Sequence, residues 1–384
     1  MHQVPLVAHL IYRLDFGGLE TLLVERINRM PAASYRHAVL CLAGYDPRFA
    51  DRISHAGVEV IDLGKRPGLS LDTHIRVWQA MRRIEPAILH TYNLPGVEYA
   101  LAGWLAGVPI RVNGAHGRDA SDPNGTNRLH NLLRRLMMPF YDCCYANSAA
   151  MLGWLRDTVG MPAHKARLLD NGIDTERFSP AARYNGLGPI VIGTVGRIDA
   201  VKDHATLMHA FLLLRERVPE LRDRLRLAIV GDGPLLPALR ALAVNEGIAH
   251  CVWLPGARTD IPAILRSWRV FANSSIAEGM PASVLEAMAC ALPVVATRVG
   301  GIVDAVGDNE TGRLVPPSDP RALADALEPY VRDAAIGRWH GAAGRAKVVR
   351  DYSMGAMVAA YESMYDALCE RKLGYVRSVT SCVE

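Results

Sequence analysis

One figure occurs twice in this chain. A short apolar run, Leu6 to Tyr12, breaks at Asp15-Phe16-Gly17-Gly18 and gives way to a helical stretch from Leu19 to Met30. Near the middle it returns as an apolar run from Ile190 to Val195, a turn at Gly196-Arg197, and a helix over His204 to Arg217. A strand that ends in a glycine turn and opens a helix is the start of a parallel βαβ unit. After the first start, apolar runs at Ala38–Leu42, Val58–Leu63, Ala87–Leu89, Ile110–Asn113 and Cys144–Asn147 alternate with helical segments such as Asp72–Ile84 and Glu98–Ala106. After the second come Leu225–Val230, Cys251–Leu254, Val270–Ala272, Val294–Ala296 and Gly312–Val315. The economical reading is two doubly wound α/β domains facing each other, joined by the short polar stretch Ala181 to Gly188. The first domain is expected over residues 1–182, completed by a C-terminal helix at about 357–373, and the second over 188–356. In that tail helix Met357, Tyr361, Met364, Tyr365 and Leu368 recur at helical spacing, a core-packing pattern.

Bulk composition narrows the class. A length of 384 residues fits two or three domains. No apolar run reaches the roughly 18–20 residues of a membrane span, and Met1 to Leu10 lacks the build of a signal peptide. The expected place is the cytoplasm. A net charge of +4 gives no support to a nucleic-acid binder. The seven cysteines contain no Cys-x-x-Cys and read as small buried hydrophobes, and no spacing suggests a metal site. Of 43 basic side chains only five are lysine, so Lys202, in a loop beside a glycine turn, stands out.

Glu278 and Glu286 lie eight positions apart in Glu278-Gly279-Met280-Pro281-Ala282-Ser283-Val284-Leu285-Glu286. The first falls in a Gly/Pro loop, the second early in a helix expected over Ala282 to Ala291. A helix N-terminus offers N–H groups to a phosphate, and carboxylates accept from hydroxyls. The pair therefore suits a ligand that is both phosphorylated and hydroxylated. Arg197 and Lys202 flank one loop and suit a diphosphate, although two solvated charges explain the same residues. Gly17-Gly18-Leu19-Glu20 could bring backbone N–H groups to an anion or be a plain tight turn. Gly231-Asp232-Gly233-Pro234 lacks the third glycine of a dinucleotide fingerprint and reads as a turn capping the next helix. His116 sits between near glycines after a strand, and His90 closes another in His90-Thr91-Tyr92-Asn93; a satisfied histidine is the plainer reading of each. From Thr126 to Met138, leucines fall on one helix face and arginines on the other. Packing of the leucine face on its own domain is favoured over peripheral contact with an anionic membrane.

In order along the chain, these segments resemble family 4 retaining glycosyltransferases of the two-domain GT-B fold. The resemblance rests on Gly17-Gly18-Leu19-Glu20, His116-Gly117, Asp170-Asn171-Gly172-Ile173-Asp174 with Phe178, Gly196-Arg197 to Lys202, Val230 to Pro234, and Glu278-Gly279 to Glu286. The opening, Tyr12 to Glu20 followed by Tyr35-Arg36-His37, is similar to the sugar transferases of exosortase-associated (PEP-CTERM) exopolysaccharide clusters. The resemblance implies two Rossmann-like domains facing across a cleft, a nucleotide-diphosphate sugar as donor, and no required cofactor or metal. It implies a glycan or lipid-linked acceptor and a place at the inner face of the cell membrane.

By position, Arg197 and Lys202 would bind the diphosphate, Glu286 the ribose, and Glu278 the donor sugar. Met280, Pro281, Ala282 and Ser283 would lie along sugar and phosphate, and Gly17 and Gly18 on the phosphate. His116 would touch the transferred sugar, and Arg258 would lie near the base. His90, Asn93 and Arg118 would face the acceptor. Met280-Pro281 departs from the family's frequent aromatic after Glu-Gly, and Tyr92 stands where many members have a second histidine. Other readings are a nucleotide-sugar 2-epimerase on the same architecture and a non-catalytic partner of a polysaccharide assembly complex. An NAD-dependent dehydrogenase is disfavoured because the first turn lacks Gly-x-Gly-x-x-Gly.

Overall fold

The computed structural model describes residues 4–66, 68, 70–116, 122, 125–181 and 188–375. Most of the expected linker, residues 182–187, lies outside them. The chain divides into two compact units, Met1–Gly172 with Met354–Glu384, and Ile173–Ser353.

The first unit holds a seven-stranded parallel sheet: β1 (Leu6–Ile11), β2 (Arg36–Cys41), β3 (Glu59–Asp62), β4 (Ile88–Tyr92), β5 (Ile110–Ala115), β6 (Cys143–Ala146) and β7 (Ala166–Leu168). Their order is β3-β2-β1-β4-β5-β6-β7. The second unit holds β8 (Ile190–Val195), β9 (Leu225–Val230), β10 (Val252–Trp253), β11 (Val270–Asn273), β12 (Val294–Thr297) and β13 (Gly312–Val315), in order β10-β9-β8-β11-β12-β13. Every pair is parallel, as in Ile190↔Leu225 and Val270↔Ile192. Each sheet thus winds outward from its first strand, then returns to that strand's other side. The chain reverses direction across the sheet between β1 and β4, and again between β8 and β11. Loops leaving the carboxyl ends of those strands diverge and leave a crevice.

The central strands, such as β4, β5, β11 and β12, are buried on both faces, while β3, β7 and β10 are partly exposed. In the first unit the helix Met354–Leu373 returns to the sheet. It buries Met357, Tyr361, Met364, Tyr365 and Leu368 against Val7, Ile88, Ile110, Val112 and Tyr145. Full burial of side chains of this size is worth about 2 kcal/mol each.

The unit also buries a polar network. Arg26 donates to the Tyr92 hydroxyl and lies 3.9 Å from the Tyr361 ring centroid. Tyr92 is 2.9 Å from His9 Nδ1, and His9 Nε2 is 3.0 Å from His37 Nδ1. Burial, reinforced by the Arg26 charge, lowers the pKa of all four histidines, His9, His37, His90 and His116, with His37 and His116 at about 3. Folded-state values below the unfolded value give stability that is present above about pH 6.5 and lost as pH falls. His37 and His116, at about 3, should each cost about 2 kcal/mol of stability at pH 5. The denaturant midpoint should therefore drop steeply from pH 7.5 to pH 5; an unchanged midpoint would contradict this network.

The helix Arg128–Met137 departs from the sequence expectation. Only part of its leucine face packs on its own domain: Leu133 and Met137 lie against the core around Trp154, while Leu129, Leu132 and Leu136 are 71%, 48% and 58% exposed. The inward face also holds Asn131, donating to the Gly125 carbonyl, and Arg134, 4.9 Å from the Trp154 ring centroid. The Asn131 amide nitrogen is met while its Oδ1 has no partner among the described residues, and the Arg134 cation lies over an indole, so polar side chains share the packed face with Leu133 and Met137.

Candidate functional site

In the second unit the loops after β8 and β11 flank the crossing point of the sheet. The first folds as a turn, Ala200–Lys202, that Asp199 caps by accepting from the Lys202 N–H at 3.2 Å. The second is stitched to it, with Ile276 N–H donating to the Val201 carbonyl at 2.8 Å and Ser274 Oγ to the Lys202 carbonyl at 3.0 Å. This seam brings Lys202 Nζ to 2.5 Å from Glu278 Oε1. The same oxygen accepts from Ser275 Oγ at 2.6 Å and Asn273 Nδ2 at 3.4 Å. Both side chains are largely buried, at 22% and 9% exposure. An ammonium has three donors, so Lys202 keeps capacity for a further anion.

Gly279, Met280 and Pro281 lead into the helix Ala282–Ala289, two residues shorter than expected. Met280 and Pro281 are buried, Ala282 is exposed and Ser283 partly buried. The first N–H groups of this helix have no acceptor within it. One turn later Glu286 carries a carboxyl that burial pushes up to about 7, with Arg177 the one charge pulling it down.

Two glycine contacts hold this geometry. Gly231, at φ +150, approaches the Gly196 carbonyl so closely that a Cβ would lie 1.8 Å from its oxygen. Gly231-Asp232-Gly233-Pro234 is thus a close backbone approach rather than a helix cap; the next helix, Leu236–Asn245, has no side-chain cap. Gly300, at φ +50, would place a Cβ 1.8 Å from the Glu278 carbonyl oxygen, and Gly301 N–H donates to the Gly279 carbonyl at 2.7 Å. We expect Gly300→Ala to displace the Glu278 loop and cost about 2–4 kcal/mol of stability, through clash and left-handed strain together. A denaturation midpoint equal to wild type would contradict this packing.

Arg197 and Arg258 lie on loops of the same unit, each paired locally. Arg197 Nε is 2.6 Å from Asp199 Oδ2, with its side chain 76% exposed. Arg258 is bidentate to Asp260 at 2.9 and 2.8 Å. Such exposed pairs exchange readily with a stronger anion.

In the first unit, Gly17 precedes the helix Gly18–Arg29, and a Cβ on Gly17 would meet Glu20 Oε2. Glu20 therefore folds over its own helix start, and burial raises its pKa. His116 Nε2 is 2.8 Å from the Tyr145 hydroxyl, and its backbone N–H donates to Asn93 Oδ1 at 2.8 Å. A ring with a pKa of about 3 stays neutral and offers hydrogen bonds rather than a proton. His90 is fully buried, with its ring nitrogens 2.6 Å from Tyr365 Oη and 3.0 Å from Tyr145 Oη. Both nitrogens are thereby used inside the core, so His90 has none left for an acceptor. Arg118 lies outside the described residues.

Sequence reasoning missed Asn273, Ser274, Ser275 and Thr297, which build the bed under Glu278; Thr297 Oγ1 donates to the Ser275 carbonyl at 2.6 Å. The available signal was a polar triplet at the end of an apolar strand, directly before Glu278. It also missed Arg177 beside Glu286.

Comparison with known proteins identifies the chain's relatives. Residues 16–177 match the family model Glycosyltransferase Family 4, and residues 189–333 match Glycosyl transferases group 1. A Bacillus subtilis protein named as a glycosyltransferase, EpsF, is 28% identical over 350 residues, 86% of this chain and 88% of that one. D-inositol 3-phosphate glycosyltransferase 2 of Catenulispora acidiphila is 33% identical over 354 residues, 82% and 81% of the two chains. Among solved structures, Alr3699/HepE of Anabaena in complex with UDP superimposes with a TM-score of 0.79 at 20% identity. The match covers 94% of this chain and 99% of that one.

Proposed function

The chain belongs to glycosyltransferase family 4, and from that membership we propose that it moves a sugar from a nucleotide-diphosphate sugar to a glycan hydroxyl in polysaccharide synthesis. The observation that carries this reading is Lys202 joined to Glu278 at the head of a helix that bears Glu286. Lys202 and Arg197 take the diphosphate, the first through its remaining donors, the second by releasing Asp199. Glu286 accepts from the ribose hydroxyls. Glu278 turns its other oxygen to the donor sugar, with Met280 to Ser283 alongside and Arg258 toward the base. Gly17 and Gly18 present N–H groups to the phosphate once Glu20 swings aside, and His116 contacts the transferred sugar as a neutral hydrogen-bonding group. Asn93, at the end of β4, faces the acceptor.

Charge develops on the departing diphosphate, so cations and helix N–H groups supply most of the stabilisation. One oxygen of Glu278 is committed to three donors, which suits a binding group better than a nucleophile. The transfer therefore proceeds on one face of the sugar with retention, and a phosphate oxygen takes the proton of the attacking hydroxyl. The similarity of Tyr12 to Glu20 to exopolysaccharide transferases supports a lipid-linked acceptor. UDP-sugars are the first donors to test, because the Anabaena protein was solved with UDP.

A thermal-shift screen over UDP-, GDP- and ADP-sugars should single out one base, and stabilisation by none would count against the reading. The product's anomeric proton should show the donor's configuration. An inverted product, or a trapped covalent glycosyl-enzyme, would overturn the mechanism.

A further inference from the structure

The helix Arg128–Met137 carries more apolar surface than its own domain covers, since Leu133 and Met137 pack inward while Leu129, Leu132 and Leu136 are exposed. At 3.6 residues per turn, Leu132, Leu136 and Leu129 fall within an arc of about 60°. All three are exposed, and Arg128 and Arg135 occupy the adjoining arc, also exposed. Leu133, Met137, Arg134 and Asn131 cover the opposite, inward side. Arg135 is steadied by donating to the Val159 and Thr158 carbonyls at 2.9 and 2.6 Å, which keeps its charge at the edge of the leucine stripe. Directly after the helix, Phe140 meets Trp104 with ring centroids 5.5 Å apart, and Trp104 and Leu105 are themselves 52% and 61% exposed. From Thr126 to Phe140 there is no acidic residue.

The stripe stays largely exposed among the described residues, and leaving leucines in water carries a cost that folding alone does not require. Two features select the occupant. The stripe is small: three leucines and a neighbouring tryptophan offer a few hundred Å², whereas a stable protein interface needs roughly 800 Å² from each partner. Its rim is cationic, and arginine beside leucine and tryptophan matches an anionic bilayer surface, where apolar side chains enter the acyl boundary and guanidinium groups meet phosphates.

We infer that Arg128–Met137 is an interfacial helix that docks the protein on an anionic membrane, with Leu129, Leu132 and Leu136 inserted and Arg128 and Arg135 on the headgroups. Among the described residues no helix is long and apolar enough to cross a membrane, so the contact is peripheral. The inference does not depend on the transfer reaction, because its test uses no donor.

The full chain is sedimented with vesicles of phosphatidylcholine containing about one-third phosphatidylglycerol, and with phosphatidylcholine alone. Binding to the anionic vesicles should exceed binding to neutral ones at least about tenfold. Leu132→Gln/Leu136→Gln should lower it by a similar factor with the melting temperature unchanged, since both positions are exposed. Arg128→Gln/Arg135→Gln tests the rim separately and should abolish the preference for anionic lipid. Absence of binding to anionic vesicles, or wild-type binding by both double variants, would overturn the proposal. So would a concentration-dependent dimer in ultracentrifugation that Leu132→Gln/Leu136→Gln dissolves, because it would assign the face to a second copy.

Discussion

Lys202→Ala should lower kcat by about 10²–10³-fold, the range set by removing one preorganised charge-stabilising group from a transferase site. The loss belongs in kcat more than in KM, because the leaving diphosphate gains charge in the transition state and a cation there matters most at that moment. Stability should fall much less, by about 1–2 kcal/mol. Lys202 keeps 22% exposure, and Glu278 retains the hydroxyl of Ser275 at 2.6 Å after the ammonium is gone. Lys202→Arg keeps the charge but replaces a compact ammonium by a planar fork, so it should restore only part of the rate. Steady-state kinetics with a melting curve for each variant separates the two effects. A Lys202→Ala enzyme of near-normal kcat would remove Lys202 from the site.

Glu286→Gln should act on both stability and binding. The carboxyl's folded-state pKa is raised from 4.5 to about 7 by burial. A raised value means the stability it allows is complete below about pH 4.5 and is lost as pH climbs through 7. The ionised wild type above pH 7 therefore carries a penalty of about 3 kcal/mol that glutamine does not. Glu286→Gln should be more stable than wild type at pH 8 and nearly equal at pH 4.5. It should nevertheless bind nucleotide at least about tenfold more weakly at pH 8, because a charged acceptor for hydroxyl donors is lost. In wild type, ribose hydroxyls favour the ionised carboxylate, so binding near pH 6.5 should expel a proton. Calorimetry in two buffers of different ionisation enthalpy reads that proton directly. Equal stability at pH 8, with no proton released, would contradict the environment assigned to Glu286.

The limits of β9 and β13 and of the helix His204–Arg217 were legible in the sequence, those of β9 because an apolar run buried on both faces announces itself residue by residue. Strand β4 was not. Its end, His90-Thr91-Tyr92, is polar in composition yet buried, and only the partners found in Tyr365, Tyr145 and Tyr141 make that tolerable. The short β7, with two of its three residues exposed, gives no apolar signal at all. For the candidate site, the types and spacing of Lys202, Glu278 and Glu286 were visible, but the pairing of the first two was not. It follows from β8 and β11 lying side by side across the 74 residues between Val195 and Val270, which no local pattern encodes. The packed side of Arg128–Met137 was legible only in part for a related reason. Periodicity reports that a helix has two faces, while the residues that pack are decided by partners outside it, such as Trp154 and the Gly125 carbonyl.

The most direct measurement is a calorimetric titration of the intact protein with UDP, GDP and ADP in turn, repeated on Lys202→Ala and Glu286→Gln. We predict saturable one-site binding of one nucleoside diphosphate, weakened at least about tenfold by each substitution. Binding of none of the three, or binding that both variants retain at wild-type strength, would contradict a nucleotide-sugar site built on Lys202, Glu278 and Glu286.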